Sequence, residues 1–158
     1  MTRYAEHTSV SSEASRAEIE RTLTRYGARS FAYGWTDGTA MIGFEVDGRQ
    51  VRFHLPMPDR NAREFTHTPA RGTRRTPPAA AAEYEKAVRQ RWRALALVVK
   101  AKLEAVAAGI VTFDEEFLAH LVLPGGRSVF HAVMPQVERA LETGQAPALL
   151  ALDQGVDR

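Results

Sequence analysis

The spacing of hydrophobic positions changes three times along the chain, and each change marks an element. Ile19, Leu23 and Tyr26 recur at +4 and +3, which puts them on one helical face. Ser15-Arg-Ala-Glu18 has the spacing of a capping box, with Ser11 and Ser12 as alternative starts a turn earlier. Gly27 is placed to end this helix. The period then drops to two: Phe31, Tyr33 and Trp35 alternate, then Ile42, Phe44 and Val46, then Val51, Phe53 and Leu55. Asp37-Gly38 and Asp47-Gly48 separate these runs with hairpin-turn chemistry, and Pro56-Met-Pro58 stops the last. Alternation with one polar face predicts an antiparallel meander covered on one side. The first helix, with the long helix beside it, is expected to cover the apolar side. The open side would carry Arg29, Ala32, Gly34, Gly43, Glu45, Gln50, Arg52 and His54.

Helical spacing returns from Ala79 to Ala108, where Tyr84, Val88, Trp92, Leu95, Val99, Leu103 and Val106 form one stripe before Gly109. Trp35 and Trp92 both read as core residues. Thr112-Phe-Asp-Glu115 is a second capping box and predicts a short helix with Phe117, Leu118 and Leu121 inward. Pro124-Gly-Gly126 is a turn. A last helix is expected over 128–143, kinked or restarted at Pro135 because proline lacks an N–H, and closed by Gly144. The fold class is therefore α+β: an N-terminal helix, a three-stranded antiparallel meander, a long helix, then two short C-terminal helices. Residues 1–10 read as a flexible N-terminus. Residues 11–145 read as a single α+β domain containing a mobile basic loop at 59–78. Residues 146–158 read as a tail.

Length and composition narrow the picture. A chain of 158 residues suits one domain with a sizeable core. The absence of cysteine excludes a disulfide framework, a thiolate zinc site and a cysteine nucleophile, and it fits a reducing compartment. The polar start of the chain does not read as a signal peptide. The longest mostly apolar run, Ala94–Val99, is far short of the roughly 18 residues a membrane span needs. A cytoplasmic protein with no membrane partner is expected.

Charge changes the picture most. The net charge is +2, but residues 1–48 carry −2, residues 49–103 carry +9 and residues 104–158 carry −5. A basic middle suggests a polyanionic partner. On the long helix Lys86, Arg89, Arg93 and Lys100 share a face away from the apolar stripe, flanked by Arg91 and Lys102. The preceding loop adds Arg60, Arg63, Arg71, Arg74 and Arg75 around Phe65, and the open sheet face adds Arg52. Arginine forks suit phosphates, and an aromatic among them could stack on an unpaired base. The candidate nucleic-acid contacts are Arg52, Phe65, Arg71, Arg74, Arg75, Lys86, Arg89, Arg93 and Lys100. The competing reading is a solvated helix face, with Glu85 pairing Arg89 at i+4.

A second cluster, Glu104, Asp114, Glu115, Glu116 and His120, is acidic, and Glu116 with His120 at i, i+4 has metal-ligand spacing. Asp114 to Glu116 equally suits a helix N-terminus. The zinc-protease His-Glu-x-x-His pattern, the Gly-x-Ser-x-Gly elbow and both glycine-rich nucleotide loops are absent. No catalytic residue, metal or cofactor is assigned.

The runs Ala17–Glu20, Tyr26–Ala28, Phe31–Gly34 and Val51–Pro56, with Arg91–Lys100, Lys102–Val106 and Phe113–His120, resemble small uncharacterised proteins carried by phages and prophages. The likeness spans roughly 15–145 and implies a genomic setting rather than an activity. The order helix, three-stranded meander, long helix is also similar to the core of Rad52-type annealing proteins, as topology alone. These readings converge on a non-enzymatic, phage-type nucleic-acid-binding accessory protein acting in recombination, replication or repair, with DNA the favoured ligand over RNA. The alternative is a protein-interaction module that modulates a host protein. A small metal-dependent enzyme using Glu104, Glu116 and His120 ranks third. Self-association into a homo-oligomer is compatible with either of the first two.

Overall fold

The computed structural model describes residues 10–147. The expectations for 1–9 and 148–158 lie outside the described residues. The element order is α1 (Ser12–Arg25), β1 (Ser30–Thr36), β2 (Thr39–Val46), β3 (Arg49–Pro56), α2 (Arg63–Thr66), α3 (Pro77–Ala107), α4 (Phe113–Phe117), a single 3₁₀ turn (Leu118–His120) and α5 (Val129–Thr143). This is the α+β architecture read from the hydrophobic spacing.

The sheet is antiparallel in the order β1-β2-β3. Both hairpins turn on Asp-Gly pairs whose two central residues have positive φ, 47° and 72° at Asp37-Gly38 and 48° and 77° at Asp47-Gly48. That backbone twist matches the twist of the strands it joins. The register places Phe31, Phe44 and Val51 in one row, and Tyr33, Ile42 and Phe53 in the next. Ile42, Phe44, Val51 and Phe53 are buried beneath α1 and α3. Ile19 and Leu23 close the core from α1, and Trp92, Leu95, Ala96, Val99 and Leu103 close it from α3. Phe117 from α4 meets Phe44 and Phe53 edge-on, at centroid separations of 5.9 and 6.2 Å. Such T-shaped contacts add about 0.5–1.5 kcal/mol each beyond burial.

One local expectation, about Trp35, is corrected, and two open alternatives, the cap of α1 and the continuity of α5, are decided. Trp35 is 73% exposed rather than core. It lies at the end of the edge strand, opposite Ala40. Helix α1 is capped by Ser11, whose side chain accepts from the Ala14 N–H, so Ser15-x-x-Glu18 is not its capping box. Ser15 is buried instead, and Glu18 pairs with Arg93. Helix α5 runs as one element through Pro135. Proline leaves the carbonyl four residues back, that of His131, without its helical donor, and the Arg127 guanidinium donates to that carbonyl at 2.6 Å. The Thr112–Glu115 capping box is present as read.

The two sheet edges are treated differently. Leu121 bridges to Val51, and the Val122 N–H donates to the Gln50 carbonyl at 2.8 Å, so the chain after α4 covers part of the β3 edge. Among the described residues, β1 pairs with β2 alone. No helix of the described residues is long and apolar enough to cross a membrane.

Candidate nucleic-acid interface

Helix α3 organises the basic residues. Thr76 caps it, with prolines following in its first turn, where a missing N–H costs nothing. Its 31 residues span about 46 Å at 1.5 Å each. At 3.6 residues per turn, Lys86, Arg89, Arg93 and Lys100 lie about 140–200° around the axis from Tyr84. The preceding loop meets α3 at Tyr84 itself. Phe65 packs edge-on against the Tyr84 ring at 5.6 Å, and the Arg60 guanidinium sits over that ring at 4.3 Å. The loop therefore docks on the Tyr84 side of α3, and its Arg60 reaches Glu85, about 40° around the axis from Arg89.

Several predicted contacts are committed elsewhere. Phe65 is only 5% exposed, so it is a core residue and cannot stack on a base. A Phe six residues after Asp59 in a polar loop looks free in one dimension; docking of α2 on Tyr84 is what buries it. Arg75 Nη1 donates to the carbonyls of Glu64, Phe65 and His67 at 2.8, 3.1 and 2.7 Å. Together with the His67–Arg74 bridge, this folds the middle of the basic segment around the C-terminal end of α2. Arg52 donates to the Gly126 carbonyl at 3.0 Å. Arg93 is paired with Glu18. Glu85 lies 3.9 Å from Arg60 and does not pair with Arg89. Of the loop cations, Arg63, Arg71 and Arg74 keep exposed side chains without an ion pair.

The stripe flank gains cations that the α3 pattern alone did not supply. Helices α1 and α3 run side by side in the same direction, tied by Glu18–Arg93 near one end and by the Tyr26 hydroxyl, which donates to Glu104 at 2.7 Å, near the other. On α1, Arg25 and Arg21 lie about 20° and 60° around the axis from Glu18; on α3, Lys100 lies about 20° from Arg93. Arg21, Arg25 and Lys100 thus follow the outer seam of the helix pair between its two ties. Lys86 and Arg89 continue it toward the N-terminal end of α3. Arg21, Arg25, Lys86 and Lys100 are exposed and Arg89 is partly buried, and among the described residues none of the five side chains forms an ion pair or hydrogen bond. The sequence held the signal for Arg21 and Arg25, both four apart on the polar side of the Ile19–Leu23 face. Their relevance depends on which helix packs beside them.

The acidic cluster is engaged internally. Asp114 holds Arg49 through both oxygens, and this contact keeps its carboxyl below the usual range and raises the Arg49 guanidinium. Glu115 accepts from the Thr112 N–H and hydroxyl, and the backbone bond first of all lowers its pKa. Glu116 pairs with Lys102 at 2.9 Å. Its bond to Glu104 raises the Tyr26 hydroxyl. His120 stacks on Phe53 with centroids 4.0 Å apart, and burial, followed by the nearby Lys102 charge, pushes its pKa down. Among the described residues, no three His, Asp or Glu side chains converge as a metal site requires. A cleft of about 360 Å³ opens beside this cluster, between Tyr26, Val46, Leu103, Val106 and Phe113, with the satisfied Arg49–Asp114 pair at its rim.

Compared with known proteins, the chain matches no family model, no curated protein and no solved structure.

Proposed function

We propose that this protein binds the phosphate backbone of nucleic acid without catalysing a reaction, through the outer seam of α1 and α3. One observation carries the reading: five cations, Arg21, Arg25, Lys86, Arg89 and Lys100, stand along two mutually tied helices with no ion-pair partner among the described residues. Unpaired cations on a fixed scaffold release condensed counter-ions from a polyanion, and this drives sequence-independent binding. Within this proposal the protein is a cytoplasmic accessory factor of phage type, serving recombination, replication or repair, with DNA preferred over RNA. The test is a fluorescence-anisotropy titration against single- and double-stranded DNA and RNA at low and moderate salt. Salt-sensitive binding supports the reading; no binding at low salt removes it.

A second reading, a module that docks on a host protein, has its own observation. Helix α5 has no buried residue, and Phe130 and Leu141 on it are 49% and 77% exposed. Exposed apolar side chains grouped on one element mark interaction surfaces. Capture of a stoichiometric protein from nuclease-treated host lysate, lost on F130A/L141A, would favour it over nucleic-acid binding.

A further inference from the structure

We infer that the bare edge of β1 is a self-association surface, on which a second copy of this chain adds its own β1 antiparallel to make a continuous six-stranded sheet. The observation is a contrast between edges. The chain folds back over part of the β3 edge, while β1, seven residues long, pairs only with β2 among the described residues. Free edges are ordinarily blunted by lysine, proline, a bulge or an inward charge. Ser30–Thr36 contains no charge and no proline, and its register against β2 is unbroken. Among the described residues, it is an edge without protection.

The occupant follows from the sequence of the strand. Set antiparallel to itself about Tyr33, the strand pairs Tyr33 with Tyr33, Phe31 with Trp35, Ala32 with Gly34, and Ser30 with Thr36. Aromatic meets aromatic on the helix side, and small meets small on the open side. One step further out the ladder stops, because Asp37 has already turned into the hairpin with φ 47°. Cross-strand aromatic pairs are among the contacts that stabilise antiparallel ladders. An unrelated extended peptide would have no reason to match all of these positions. The pairing also gives a partner to Trp35, which is 73% exposed and whose side chain, among the described residues, makes no hydrogen bond or ring contact.

The two-fold axis of such a pairing is perpendicular to the sheet, so both helix layers fall on the same side. The two α1–α3 seams would then face the same direction. The self-association itself does not depend on nucleic-acid binding and stands or falls separately.

The chain has no cysteine, which gives a clean reporter. Gly34 has open space where a Cβ would go, and Ala32 is exposed. A mixture of the A32C and G34C proteins, treated with a short thiol-to-thiol cross-linker, is expected to form a covalent dimer more efficiently than either alone, while T143C stays monomeric. Sedimentation from about 1 to about 100 µM is expected to show a concentration-dependent dimer. W35K is expected to raise its dissociation constant by at least about tenfold, with unchanged far-UV circular dichroism. A monomer throughout that range, or cross-linking of T143C as efficient as the mixture, overturns the inference.

Discussion

Replacing Arg75 with alanine separates a structural from a binding role for a residue that its sequence context assigns to phosphate contact. In the fold, one guanidinium nitrogen serves the carbonyls of Glu64, Phe65 and His67, at 2.8, 3.1 and 2.7 Å. Two of these belong to the four-residue helix α2, whose last carbonyls have no helical donors. Hydrogen bonds to a charged donor contribute about 1.5–3 kcal/mol net, and partly buried acceptors left unpaired add a desolvation cost. The three bonds share one nitrogen, so they are not additive, and R75A is expected to cost about 2–3 kcal/mol. With a urea m-value of about 2 kcal/mol/M, the midpoint should fall by about 1–1.5 M. Melting should drop by about 4–12 °C. The second measurement is the salt dependence of nucleic-acid binding. A lost phosphate contact lowers the slope of log K against log salt by about 0.9, and R75A is expected to leave that slope unchanged. A stability loss under about 0.5 kcal/mol, together with a slope reduced by about one contact, would refute the structural reading and restore Arg75 to the interface.

Three further outcomes are expected. The triple variant R21A/R25A/K100A should reduce the salt slope by about 2.7, whereas R71A/R74A, in the loop and not on the helix seam, should change it little; anisotropy titrations at four or five salt concentrations read both. E18Q, which releases Arg93 from its partner, should steepen the slope by up to about 0.9; an unchanged slope would place Arg93 outside the interface. Stability should also fall as pH drops. Burial and the Lys102 charge hold the folded pKa of His120 below its ordinary value near 6.5, so the folded state binds fewer protons than the unfolded one. Its contribution is fully present above the unfolded pKa and is lost as pH falls toward the folded value. Urea midpoints measured at several pH values should show a shallower decline for H120F than for the native chain, and equal declines would remove His120 as the cause.

The element order was legible because each element carries its period in the residues themselves. Alternation at Ile42–Val46 and Val51–Leu55 with Asp-Gly turns between leaves one strand arrangement that buries the apolar set, and the seven-residue stripe of α3 admits only a helix. The capping box at Thr112 was readable for the same reason, since its partners are three residues apart. The candidate site was legible only as a list of cations. Which of them stay free depends on partners tens of residues away: Arg93 on Glu18, Arg52 on the Gly126 carbonyl, Arg75 on three carbonyls of its own loop. Trp35 and Phe65 reversed their expected places for a related reason. Alternation says which side of a strand a residue faces but not whether anything covers that end of the sheet, and loop composition does not reveal a short helix docking on Tyr84.

The sequence alone determined the three-stranded meander, the two flanking helices and the excess of positive charge in the middle of the chain, all set by contacts within a few residues or by simple counting. The tertiary structure decided the surface. It docked the arginine loop on Tyr84, brought Arg21 and Arg25 beside Lys100, and, among the described residues, left one edge of β1 unpaired while covering part of β3. The physical reason is that a side chain's freedom to meet a partner is whatever packing and long-range hydrogen bonding leave over.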